Sequence, residues 1–151
     1  MSTASNQVNT LNKLITTLYD GENGYKEAAE EVSSTTLATR FRQLAQQRYD
    51  FGHEIKPFIK NLGGEVDKGG SVSASIHRVW MDLKAAVAGN DEEAILNECI
   101  RGEESAVEAY EEALKDNTIT GSARETVITQ LEKISSVLVD LRKMADSYAT
   151  A

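Results

Sequence analysis

The sequence has 151 residues, is 40% apolar and only 6% aromatic, and carries a formal net charge of −8 with one proline and one cysteine. Such an acidic balance argues against nucleic acid or anionic lipid as a partner, because phosphate binding needs basic surface. No apolar run approaches the roughly 18 residues of a membrane span, and a lone Cys99 excludes an internal disulfide and fits a reducing compartment.

The opening stretch "MSTASNQVNTLNKL" has neither a basic n-region nor a continuous apolar h-region, so a cytoplasmic protein without a secretory signal is expected. Ala, Glu, Lys, Leu and Arg are plentiful, which favours helix. Apolar periodicity predicts a first helix over about residues 6–33, on Val8, Leu11, Ile15, Leu18, Tyr25, Ala29 and Val32. "SSTT" breaks it, and Thr36 is a candidate cap for a second helix, about 36–62, on Leu37, Phe41, Leu44, Phe51, Ile55, Phe58 and Leu62. Pro57 lies inside that helix and predicts a kink near His53, whose carbonyl loses its partner.

Gly63 and Gly64 suit a C-terminal cap, and Gly69 and Gly70 a loop. A shorter helix is expected over about 72–88, on Ile76, Trp80, Leu83 and Val87, followed by "GND" with Asp91 as a cap. The next long helix covers about 91–115, "DNTITGS" is a turn, and the last helix covers about 122–148 on Val127, Leu131, Ile134, Leu138 and Leu141. At about 1.5 Å per residue the four long helices match in length. Short turns make the first and second helices one antiparallel hairpin and the last two another, with a long crossover carrying the short fifth helix between them. The expected fold is therefore all-α: a single four-helix bundle.

The two hairpins share a motif. "GENGYKEAAEE" from Gly21 and "GEESAVEAYEE" from Gly102 match at six of eleven positions without a gap, the Gly-Glu pair included, which points to an old duplication. On a helical wheel at about 100° per residue, Leu96, Cys99, Val107, Tyr110 and Leu114 fall within about 40° of Glu103. Leu11, Ile15, Leu18 and Ala29 fall as close to Glu22. Two helices thus each aim a carboxylate inward. An unpaired buried carboxylate costs several kcal/mol, so each needs a cationic partner, a metal or a proton. Gly21 and Gly102 beside them cost roughly 1 kcal/mol each in a helix and are expected to permit close approach.

Paired inward glutamates on the first and third long helices of a crossover bundle resemble the ferritin-like fold. Its di-iron members add a Glu-x-x-His on the helix that follows each glutamate. "LYDGENGYKEAA", "LGGEVDKGGSVSASIHRVWMDLKAA" and "AILNECIRGEESAVEAYEEAL" are also similar to a bacterial family of uncharacterised ferritin-like bundle proteins, over much of residues 11–114. That resemblance implies the fold but no activity.

The ligand half of the di-iron pattern does not reappear. Asp50 and His53 have the right spacing, but the wheel puts them about 120° and 180° from the stripe. Glu54 and Gln47 lie at its edge, and the residue within it is Arg48. The last helix turns Leu131, Ile134, Ser135 and Leu138 inward and has no histidine. A Glu22–Arg48–Glu103 cluster, with Tyr25 and Tyr110 reaching the carboxylates, accounts for the inward charges without a metal, since a guanidinium can bridge two carboxylates. The alternative is an iron or manganese site built from Glu22, Glu103, Glu54 and Gln47, with a ferroxidase-type or storage role.

Cys99 reads as a small buried hydrophobe, His77 as a surface or packing residue, and "EAAEE" and "EAYEE" as solvated faces. No phosphate loop, zinc spacing or nucleophile–base pair is present. The expectation is a non-catalytic structural or interaction module without a cofactor, with homo-oligomerisation through Trp80, Ile76 and Val87 as a further option.

Overall fold

Ser34 and Gly63 decide where the second helix starts and stops. Ser34 sits in extended backbone, and its Oγ accepts from the Leu37 N–H at 3.2 Å, satisfying a donor that the first turn leaves without a partner. The cap is therefore Ser34 and not Thr36, two residues earlier than the sequence pattern indicates. At the other end Gly63 adopts φ +80°, its N–H donates to Lys60 O, and the Gly64 N–H reaches back to Ile59 O, both at 3.0 Å. These are the paired bonds of a Schellman stop, which needs a left-handed residue. Gly64 is required for a second reason: a Cβ there would meet the Val8 side chain at 2.6 Å.

The computed structural model describes residues 3–67 and 92–149. Among them there are four helices and no strand: α1 (Thr3–Glu31), α2 (Thr35–Asn61), α3 (Glu92–Leu114) and α4 (Gly121–Ala149). Helix α1 begins three residues before the expected start, and α2 runs without interruption past Pro57. The expected fifth helix over 72–88, with His77 and Trp80, and the Asp91 cap lie outside the described residues.

Helix α1 packs on α2 and α3, and α4 packs on α3 and α2. Three residues separate α1 from α2, so the two are antiparallel. Glu92, at the start of α3, accepts from the Ser34 N–H at 2.9 Å and from the Tyr148 hydroxyl at 2.8 Å, clasping three helices at one end of the bundle. At the opposite end Asn12 donates to Glu65 O at 2.9 Å and accepts from the Asp67 N–H at 3.0 Å. Helix α3 therefore runs parallel to α2 and antiparallel to α1. The turn into α4 is tied by Arg124, whose guanidinium donates to the carbonyls of Leu114, Asp116 and Ile119.

The apolar interior falls into two clusters stacked along the bundle axis. One gathers Tyr25, Phe41, Leu44, Leu96, Cys99 and Leu141; the other gathers Leu11, Ile15, Phe51, Ile55, Tyr110, Val127 and Ile134. Full burial of one such aliphatic side chain is worth about 1.5–3 kcal/mol. Between the clusters, at mid-height, lies a polar layer.

Candidate functional site

Each helix that enters this layer does so at the point where one apolar cluster gives way to the other. On α2, Arg48 stands between Ala45 above and Phe51 below; on α3, Glu103 stands between Cys99 and Ala106. Arg48 is 2% exposed and Glu103 0%. Arg48 Nη1 donates to Glu103 Oε1 at 2.5 Å and Nη2 to Oε2 at 2.7 Å, a bidentate fork across the diagonal of the bundle. The Arg48 Nε–H donates to Gln47 Oε1 at 3.1 Å. The guanidinium carbon also lies 5.6 Å from the Tyr25 ring centroid, over the aromatic face, and Tyr25 stacks on Phe41 at 6.0 Å.

Arg48 and Glu103 thus meet as the wheel placed them, whereas the third member does not join. The Glu22 carboxylate bonds to Lys26 Nζ at 2.6 Å, one turn along its own helix. Glu22 is 9% exposed and lines a surface groove between α1 and α2 with Lys26, Arg42 and Tyr49. Its phase on the helix matches that of Glu103, but α1 holds it at the rim, where a flexible lysine and solvent are within reach. The guanidinium therefore forks onto one carboxylate and does not bridge two. Gly21 lies along the Arg48 stem, as close approach requires, yet a Cβ there would sit 3.5 Å from Arg48 Cγ, an ordinary contact.

A second polar node lies one to two turns away. The buried Tyr110 hydroxyl donates to Gln130 Oε1 at 2.7 Å, and Gln130 Nε2 donates to Phe51 O at 3.1 Å and Glu54 Oε1 at 2.9 Å. Tyr110 is thus engaged by α4 and not by the carboxylates. Gln130 is 0% exposed and absent from the inward positions read from the sequence, which favoured Leu131 and Ser135; both are half-buried. Its signal was available: Gln130 is four residues before Ile134 and three after Val127, within the apolar stripe.

The charges tune one another. Burial works against the Arg48 cation, but Glu103 outweighs it and holds the guanidinium above its ordinary value. Burial, reinforced by the Glu103 carboxylate, pushes the Tyr25 phenol well up, with Arg48 pulling the other way. Burial also raises Tyr110, and burial plus Glu103 raises the Cys99 thiol. Both phenols and the thiol are therefore neutral at physiological pH, which suits packing and not nucleophilic attack.

The four donors of the metal alternative are engaged separately: Glu103 by Arg48, Glu22 by Lys26, Glu54 by Gln130, and Gln47 by Arg48. Asp50 and His53 are exposed, and Tyr49 packs edge-on against His53 at 4.5 Å. Among the described residues no group of three or more His, Cys, Asp or Glu could hold a metal ion. A cation at the mid-bundle position would have to displace a guanidinium already seated on Glu103.

Residues 6–116 match the family described as a domain of unknown function (DUF2383). The chain belongs to that family. No functionally curated protein matches it. The DUF2383 match takes in α1, α2 and α3, and with them Glu22, Tyr25, Arg48, Glu103 and Tyr110; Gln130 and the rest of α4 lie beyond it. Among the described residues no helix is long and apolar enough to cross a membrane.

Proposed function

We propose that this DUF2383 chain is a ferritin-like helical bundle in which an internal ion pair takes the place that di-iron members give to metal, and that it serves as a non-catalytic structural or interaction module. The fork of Arg48 on Glu103 carries this reading. A guanidinium supplies the positive charge that a buried carboxylate needs and, unlike a metal, offers no open coordination position for a substrate.

The crossover topology is part of the proposal. Asp67 is held beside Asn12 and Glu92 beside Ser34, at opposite ends of α1, which supports a connection returning the length of the bundle. The Gly-Glu repeat at Gly21 and Gly102 supports a duplicated hairpin. A buried free thiol, Cys99, supports a cytoplasmic location.

Elemental analysis of protein expressed in iron- and manganese-supplemented medium tests the reading. The expected result is metal far below one equivalent, unchanged in Glu103→Ala. Near-stoichiometric iron or manganese, lost in Glu103→Ala, would overturn it in favour of ferroxidase-type or storage chemistry.

A further inference from the structure

Helix α1 is buried on its outer side as well as its inner one. The core-facing side is centred on Leu18, with Leu11, Tyr25 and Ala29 within about 20° of it on a helical wheel. Thr16 and Asp20 lie about 160° round, turned away from the core. Yet they are only 4% and 8% exposed. Among the described residues α1 packs on α2 and α3 alone, and both meet its inner half. Another part of the molecule covers the outer half.

The covered residues trace a line. Asn12, Thr16, Asp20 and Gly24 are all buried and stand four residues apart, and each step of four rotates the line by about 40°. It therefore crosses the outer face obliquely. It starts at Asn12, on the flank where Tyr19 meets Lys56 of α2. It ends at Gly24, on the flank of Thr17, which lines a cavity with Ala109 of α3. Lys13 and Asn23, to either side of the line, are exposed.

The chain enters this line at one end. Asn12 donates to Glu65 O at 2.9 Å and accepts from the Asp67 N–H at 3.0 Å, so the backbone leaving α2 already lies against it. Helix α3 starts at Glu92, held to Ser34 just past the far end of α1. Residues 68–91 thus have to travel most of the length of α1, about 30 Å. The helix predicted over 72–88 spans about 25 Å of that. Trp80 is midway between Asp67 and Glu92, which brings it level with the stretch from Asp20 to Gly24. The charges also agree: Lys68, Arg78 and Lys84 outnumber Asp82 and Asp91 in a chain of net charge −8, and a buried carboxylate such as Asp20 calls for donors.

We infer that the oblique line from Asn12 to Gly24 is the docking surface for residues 68–91 of the same chain. Trp80 sits over Gly24, where the missing side chain leaves room for an indole. The stripe of Ile76, Trp80 and Val87 is then spent on its own bundle and not on a second copy. The inference builds on the crossover proposed above and is tested apart from the ion-pair reading, because metal content does not report on Trp80.

Trp80 is the only tryptophan, so its fluorescence in the full chain tests the inference. Emission should lie well to the blue of free indole, and acrylamide quenching should be several-fold weaker than in the urea-unfolded chain. Both should hold at every concentration over which light scattering follows the mass. Gly24→Ala and then Gly24→Leu should move emission progressively to the red and raise quenching, while Asn23→Leu, off the line, should change neither. Alanine favours a helix over glycine, so a shift in Gly24→Ala reports crowding and not unfolding. A water-exposed indole in the native chain, or emission indifferent to the Gly24 series, would overturn the inference. A blue shift lost on dilution in step with a dimer would also overturn it, by placing Trp80 on a second copy.

Discussion

The Tyr110 hydroxyl donates to Gln130 Oε1 at 2.7 Å, fastening α3 to α4 where both side chains are buried. The amide of Gln130 then spends its donors on Phe51 O and Glu54, so one side chain ties three helices. This node lies on the one helix that the family match leaves out, and it carries part of the specificity of the α3–α4 hairpin.

Gln130→Leu keeps approximate volume but leaves the buried Tyr110 hydroxyl without its acceptor, while the Phe51 carbonyl loses a second donor and keeps its bond within α2. The expected loss is about 1–3 kcal/mol, from the desolvation of one buried group without a partner. Urea unfolding should show the midpoint falling with the slope unchanged. Adding Tyr110→Phe to Gln130→Leu should cost less than it does alone, since the hydroxyl that it removes has already lost its acceptor.

The glycines divide by what surrounds them. Gly21→Ala and Gly52→Ala replace mid-helix glycines where an added Cβ meets either ordinary contact or nothing within 4 Å. Each should stabilise by about 0.5–1 kcal/mol. Gly64→Ala should destabilise, because its Cβ would meet Val8 at 2.6 Å. Gly63→Ala should cost about 1 kcal/mol for its left-handed backbone. Thermal melts of the four variants would separate the two classes by sign.

The buried thiol and phenols set the alkaline limit. For Cys99, Tyr25 and Tyr110 the folded-state value lies above the unfolded one, so the native state holds each proton more tightly. Their stabilisation is complete below the unfolded values of 9.0 for the thiol and 10.0 for the phenols, and is lost as pH rises beyond them. Stability should begin to fall near pH 9 and steepen above pH 10, by about 1.4 kcal/mol per pH unit for each group. Cys99→Ala should move the onset to about pH 10. Phenolate absorbance should show two of the five tyrosines ionising only as the chain unfolds.

Much of this was legible in the sequence because phase on a helix is. Apolar spacing located all four described helices to within a few residues, and the wheel put Arg48 and Glu103 inward and Asp50 and His53 outward. Phase does not give depth, however. Glu22 and Glu103 occupy equivalent phases, yet only Glu103 sits where α2 supplies a guanidinium, while Glu22 lies at a rim with Lys26 one turn on. Nor does phase show which polar side chains find partners. Asn12 and Gln130 are buried because their amides satisfy backbone groups from segments 53 and 79 residues away, contacts that no local pattern encodes. Ser34 over Thr36 was a choice between hydroxyls two residues apart, decided by which one the Leu37 N–H reaches.

Arg48 and Glu103 form a pair whose members cannot be buried alone. Urea unfolding of Arg48→Leu, Glu103→Leu and the double variant measures that directly. Each single change should cost about 3–5 kcal/mol, because it leaves one charge buried without its partner, and the double variant should cost less than either. Losses under about 1 kcal/mol for the single variants, or a double variant equal to their sum, would contradict it.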